Sequence, residues 1–221
     1  MAPPRKYNFN TAFFRNIDQE DKAYFLGFLA ADGWLEYDGE FLRGVAIALN
    51  DSDMAILQEF REALGGNTPL MRLRETVTSY GNNASARLTL RSAELARDLV
   101  AKGFTRNKSA ELGPLSPYVP KVLWPHLVRG LMDGNGGPVI ETHSLANGKP
   151  RLRWSLRGTL ALLEDVQMMI PVTTSLFTKS QHPKLYTSSQ DEALALTKWL
   201  YEDATIYLKR KHWKVLSALM R

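Results

Sequence analysis

Phe25-Leu26-Gly27-Phe28-Leu29-Ala30-Ala31-Asp32-Gly33 and Val128-Arg129-Gly130-Leu131-Met132-Asp133-Gly134-Asn135-Gly136 are one pattern written twice, 103 positions apart. Each has glycine at its third place, a small residue at its seventh, and an Asp-Gly or Asn-Gly pair at its end. The apolar run predicts a helix in each copy, and the closing glycine predicts its stop. Taken singly, an Asp-Gly after an apolar helix is usually a helix stop and a turn and nothing more. Two copies at one offset describe something else. Small residues at Gly27, Ala30, Ala31, Gly130 and Gly134 would let two helices approach backbone to backbone. Their carboxyl ends, each with partial negative charge and unpaired carbonyls, would then lie side by side.

The repetition extends outward from these nonapeptides. In the first half, a helix is expected over about 19–31, with Asp18 as its cap and Gly33 as its terminator. Strands follow near 34–38 and 42–49, a helix over 53–64, strands near 70–75 and 84–90, and a helix opened by Ser92. In the second half, Pro125 sits in the first turn of a helix running to about Gly134. Strands near 139–143 and 151–156, a helix over 160–169, and strands near 172–177 and 184–187 follow. Ser189 and Glu192 then form a capping-box pattern before a helix reaching about Glu202. Each half therefore reads αββαββα, giving an α+β chain of two tandem units related by a pseudo-twofold axis. Pro114, Pro117 and Pro120 mark a stiff linker over 113–121, between a half spanning 1–112 and a half spanning 122–221. Lys108 and Lys211 each follow the eighth place of their own nonapeptide by 76 residues.

Composition sets outer bounds. With 44% hydrophobic and 23% charged residues, the 221-residue chain is an ordinary globular sequence able to bury a core. Lys+Arg 28 against Asp+Glu 23 gives +5, which permits a polyanionic partner without demanding one. The absence of cysteine excludes disulfides, thiolate metal sites and cysteine nucleophiles, and fits a reducing, intracellular compartment. No secretory h-region and no bilayer-length apolar run is present, so a soluble protein is expected. The four histidines, at 126, 143, 182 and 212, have no zinc-ligand spacing.

The paired nonapeptides resemble the motif of the LAGLIDADG homing endonucleases in their single-chain, two-motif form, and the resemblance covers roughly residues 18–220. It implies a monomer that binds a long non-palindromic DNA duplex without an obligatory protein partner, serves intron homing, and hydrolyses one phosphodiester per strand across the minor groove, leaving short 3′ overhangs. It also implies Mg²⁺, with Mn²⁺ or Ca²⁺ substituting for binding, near Asp32 and Asn135 and the backbone of Ala31 and Gly134. Lys108 and Lys211 would organise water or steady charge on the scissile phosphate. Asn50, Asp51 and Arg157 fall where the family often keeps a water-positioning polar residue.

One departure bears on activity. The family carries an acid at the eighth place in both copies, and here the second is Asn135. An amide keeps the shape and one carbonyl but loses the charge that holds Mg²⁺ and biases its water. Asp133, two places earlier, is a poor substitute. Binding without efficient cleavage is therefore expected, and two alternatives stand beside the nuclease: a catalytically silent sequence-specific DNA-binding protein, and an intron RNA maturase.

Strand alternation then nominates the reading surface, a saddle of antiparallel sheets. Arg151, Arg153 and Ser155 share one face and the intervening apolar residues the other, and Met71-Arg72-Leu73-Arg74 alternates likewise. The candidates for base or phosphate contact are Glu36, Arg43, Arg72, Arg74, Arg87, Glu141, Arg151, Arg153, Lys184 and Tyr186. Polar loops over Thr76–Ser85 and Thr178–His182, and the charge run Lys209–Lys214, could add contacts at the margins.

Overall fold

The computed structural model describes residues 6–78, 81–141, 151–180 and 182–219. The side chains of 74–78, 81–83, 218 and 219 lie outside the description. The order of elements is α1 (Glu20–Asp32), β1 (Gly33–Asp38), β2 (Phe41–Asn50), α2 (Met54–Ala63), β3 (Met71–Thr78), β4 (Gly81–Leu90), α3 (Ala93–Val100), α4 (Lys108–Glu111), α5 (Trp124–Asn135), β5 (Gly136–Glu141), β6 (Arg151–Arg157), α6 (Leu160–Met169), β7 (Thr174–Phe177), β8 (Lys184–Thr187), α7 (Gln190–Tyr201) and α8 (Lys209–Leu219). There are two four-stranded antiparallel sheets, ordered β1-β2-β4-β3 and β5-β6-β8-β7. The repeated αββαββα order is thus present, with α4 and α8 added to it. Gly33 and Gly136 do not make turns; each is the first residue of the strand that continues directly from its helix.

The chain divides into two compact units, one of residues up to Asn16 with Asp32–Arg106, the other of Ile17–Ala31 with Asn107 onward. In the first unit, Leu35, Val45, Ile47, Leu88 and Leu90 fall on one face of the sheet through their register and are buried. Helix α3 packs on β2, with Leu95, Ala96 and Leu99 fully covered. Ser92 caps α3 by accepting from Leu95 N. Phe13, Phe14 and Phe60 close the end of this core, with ring centroids 4.9–6.3 Å apart.

In the second unit, α1 is buried along its whole length from Ala23 to Ala30, the signature of a central rather than an amphipathic surface helix. Its partner is α5, and the two meet through glycine. A Cβ added to Gly27 would lie 2.2 Å from Leu127 O, and one added to Gly130 would lie 2.0 Å from Tyr24 O. Around this seam a polar network is fully enclosed. Asp133 is 2% exposed and accepts from Tyr24 Oη and Leu208 N, both at 2.9 Å. Arg129, 1% exposed, donates to Glu20 and to the Leu200 and Ile206 carbonyls. Asp133 is therefore a core residue, and its desolvation pushes its carboxyl up to about 6.

The proline-rich connector is pinned rather than free. Asp165 on α6 accepts from Leu115 N, Ser116 N and the Ser116 hydroxyl, and Leu115 and Val119 are buried. The capping box of α7 forms as its sequence pattern requires, Ser189 accepting from Glu192 N while Glu192 accepts from Ser189 N.

Candidate nucleic-acid interface and helix-terminal site

The two nonapeptides end the two central helices, α1 and α5, and each helix end is met by the lysine 76 residues beyond its eighth place. Lys108 Nζ donates to Ala30 O at 2.6 Å and to Ala31 O at 2.8 Å. Lys211 Nζ reaches Met132 O at 3.0 Å, Gly136 O at 2.8 Å, Gly134 O at 3.4 Å and Asp133 O. A cation among the last carbonyls of a helix answers both their unmet hydrogen bonds and the dipole. Both lysines are buried, at 8% and 7% exposure. Their equal spacing thus has a structural cause: each caps its own motif helix, and neither extends into solvent.

Asp32 is the half-buried last residue of α1. Asn135 ends α5 and is exposed, its amide nitrogen 3.5 Å from Ala31 O, at the outer limit of a hydrogen bond. Beside Asn135 lies a cavity of about 500 Å³, whose polar lining includes Lys108, Arg157, Ser109, Thr159 and His182. It gathers three residues nominated from sequence, Asn135, Lys108 and Arg157, and two side chains without a nominated role, Ser109 and Thr159. Its lining holds a lysine and an arginine and no carboxylate among the described residues. The motif's remaining acid, Asp32, is not part of this lining, and the lining alone offers a divalent cation little. Asn135 is neutral, Ala31 O is taken by an ammonium, and Gly134 O lies 3.4 Å from another. Among the described residues no three His, Asp or Glu side chains gather closely enough to hold a metal ion.

The nominated water-positioning residues of the first unit are otherwise engaged. Asn50 caps the short 3-10 turn Asp51–Asp53 by accepting from Ser52 N, and Asp51 pairs with Arg72 at 3.3 Å.

The strands carry the other candidates. Glu141, Arg151, Arg153, Lys184 and Tyr186 all fall on the open face of the second sheet, because Val139 pairs with Arg153, Glu141 with Arg151, Ser155 with Tyr186 and Arg157 with Lys184. Leu152, Trp154 and Leu156 take the buried face. There Arg153 donates to Glu141 at 3.1 Å and lies 5.1 Å from the Tyr186 ring. The first sheet repeats the device. Arg87 bonds Glu36 at 2.6 Å and stands 5.0 Å over the Trp34 ring. A guanidinium held by a carboxylate and an aromatic face is fixed in direction before any ligand arrives. Trp34 carries no mark in the sequence beyond its place two residues before Glu36 on one strand. Arg43 is exposed and bonds Asp38 at 3.0 Å.

Strand β3 corrects one expectation. Arg72 pairs in register with the buried Ala86, on the side of the helices, whereas Met71 and Leu73 pair with Arg87 and Ser85 on the open side. The alternation is as read, but the faces are exchanged. Arg72 is drawn over by Asp51 at the entry to α2, and Met71 and Leu73 are left 57% and 38% exposed. The side chain of Arg74, residues 79–80 and His143 lie outside the described residues. The charge run Lys209–Lys214 forms the first turns of α8, with Lys211 turned inward. Among the described residues no helix is long and apolar enough to cross a membrane.

No family model matches the chain, nor does any curated protein sequence. Solved structures do. The homing endonuclease I-WcaI bound to its DNA recognition sequence matches over 89% of this chain and 87% of its own, with a TM-score of 0.62 at 10% identity. I-DmoI in complex with DNA and Ca matches over 96% of this chain and 100% of its own, with a TM-score of 0.55 at 14% identity. The N-terminal LAGLIDADG domain of WhiA matches over 95% and 98%, with a TM-score of 0.53 at 12% identity. Against full-length WhiA from Thermatoga maritima the chain spans 64% of the longer protein. The chain has the LAGLIDADG fold.

Proposed function

We propose that this chain is a sequence-specific double-stranded DNA-binding protein built on the LAGLIDADG fold, and that it cuts DNA weakly or not at all. One observation carries the reading: the open face of each sheet presents an arginine aligned by a glutamate and an aromatic ring, Arg87 with Glu36 and Trp34, and Arg153 with Glu141 and Tyr186. A two-stranded ribbon enters the major groove, where arginine addresses guanine through two bonds. Lys184 and Arg151 on the second sheet add charge for phosphates. Solved structures of this fold that are described as bound to DNA support DNA binding.

Weak cutting follows from the helix ends. Mg²⁺, where it is bound in such a site, supplies a nucleophilic water and charge for the leaving oxygen. The Asn135 side offers a neutral amide among ammonium-bound carbonyls, and its cavity suits an anion such as a backbone phosphate better than a cation. A second reading, an active endonuclease, draws its support from Asp32, which keeps the acid of the first motif, and from relatives described with Mn, Mg and Ca.

One experiment separates them. The protein is used to select binders from a randomised duplex pool in Ca²⁺, and Mg²⁺ is then added to the enriched duplex. Specific retention without strand scission is the expected result. Scission of both strands would establish the second reading. Failure to enrich any duplex would remove DNA binding altogether.

A further inference from the structure

We infer that the open face of the first sheet reads thymine methyl groups, through an apolar groove floored by its edge strand β3; this rests on the DNA-binding reading above. The groove encloses about 580 Å³. Met71 and Leu73 form its floor, and Tyr7, Phe9 and Pro69 contribute to its walls. Large apolar side chains on a solvent-facing strand surface are costly unless something covers them. At 57% and 38% exposure, Met71 and Leu73 are left in water by the strand that turns Arg72 towards the helices.

The groove's charge identifies the cover. Lys6, Arg87 and Arg91 line it, and no carboxylate does among the described residues, although Glu36 on β1 reaches across β2 to Arg87. A matching ligand is therefore apolar where it meets the floor and anionic around it. On the major-groove edges of a DNA duplex the thymine C5-methyl is the one apolar group, and phosphates flank it on both sides. Arg87 lies both in this groove and in the guanidinium–glutamate–tryptophan cluster, so the methyl site is continuous with the proposed base-reading surface. The second sheet differs at the place of Met71, though Phe177, paired with Lys184 and 45% exposed, is apolar at the place of Leu73. Its edge residue Ser175, paired with Tyr186, is hydroxylated and bonds the Ser188 hydroxyl at 2.6 Å. The methyl site inferred here is that of the first sheet, so it falls in the half of the target that this sheet reads.

The test takes the duplex enriched in Ca²⁺ and replaces its thymines one at a time with deoxyuridine, which removes the methyl and nothing else. One or two positions within a single half of the site are expected to bind about fourfold more weakly, the effect of one methyl leaving an apolar contact. In the M71A/L73A double variant the thymine–uracil difference is expected to vanish, whatever the overall affinity. Both residues are exposed, so folding is not at stake. Equal binding of thymine and uracil duplexes at every position overturns the inference and leaves DNA binding intact. A difference that survives in the double variant also overturns it. Self-association of the wild-type chain that the double variant loses would give the groove to a second copy instead. A chain that enriches no duplex overturns the DNA reading, and the methyl site with it.

Discussion

Replacing Gly130 with alanine should damage the second unit severely. The added Cβ would sit 2.0 Å from Tyr24 O and 2.9 Å from Phe28 N, both backbone atoms of α1 that no rotamer change can move. Ordinary contact needs at least 3.4 Å, so the helices would have to part by over an ångström along this line. Such a gap costs a quarter to a half of the dispersion energy along the contact, and strain of this kind in packed cores runs to about 3 kcal/mol. Alanine recovers about 1 kcal/mol of helix propensity, leaving a net loss of about 2 kcal/mol. For a chain of this size that is a fall in Tm of roughly 4–8 °C. Gly113 is the control, because its Cβ would meet nothing within 4 Å and its backbone is not left-handed. Urea and thermal unfolding followed by circular dichroism would measure both. Equal stability of Gly130→Ala and Gly113→Ala would refute the claim that α1 and α5 are in backbone contact.

Further outcomes follow from the same unit and from the sheets. Lys211→Met should cost about 2 to 3 kcal/mol, since it strips a buried charge from the carbonyls ending α5; a surface lysine would leave unfolding unchanged. The raised carboxyl of Asp133 makes the folded chain bind a proton more tightly than the unfolded chain, whose value is near 3.8. Its share of stability is absent above pH 6 and grows as pH falls from about 6 towards 4, by about 3 kcal/mol at 1.36 per unit. Asp133→Asn lacks that share, so urea curves of the two proteins should diverge in favour of the wild type as pH is lowered, and parallel curves would contradict the assignment. Arg153→Ala should weaken binding to the enriched duplex about tenfold or more, with the loss concentrated on one or two base pairs in a competition series. Finally, Asn135→Asp should give a measurable gain in Mg²⁺-dependent scission over the present chain if the missing charge limits cutting. No gain would assign the block to the lysine-bound carbonyls.

Much of this architecture was legible in the residues. Gly27 and Gly130 announced the helix seam, and the β6 alternation put Arg151, Arg153 and Ser155 on one face because a central strand buries every second residue without ambiguity. Strand β3 was not legible. As an edge strand it alternates equally well either way up, and the choice fell to Asp51, a residue 21 places earlier that attracts Arg72. The lysines show a different limit. Their spacing was visible in the sequence, but spacing fixes where a side chain begins and not what its end meets. The ammonium groups end on helix carbonyls. α8 went unseen because its sequence reads as a charge run. Its inward residues, Lys211 and Val215, are two small marks in a polar segment.

The seam between α1 and α5 also dictates an order of events during synthesis. Tyr24 and Asp133 are 109 residues apart, and Asp32–Arg106, the larger segment of the first unit, lies between them in the chain. At about 5–20 residues per second, α1 emerges and then waits roughly 5–20 seconds for its partner. Through that interval a helix that is apolar on every side has no native surface to cover it. The second unit is thus opened before the first is complete and finished last, and the chance of misassociation while it waits is set by translation speed and not by the stability of the finished fold.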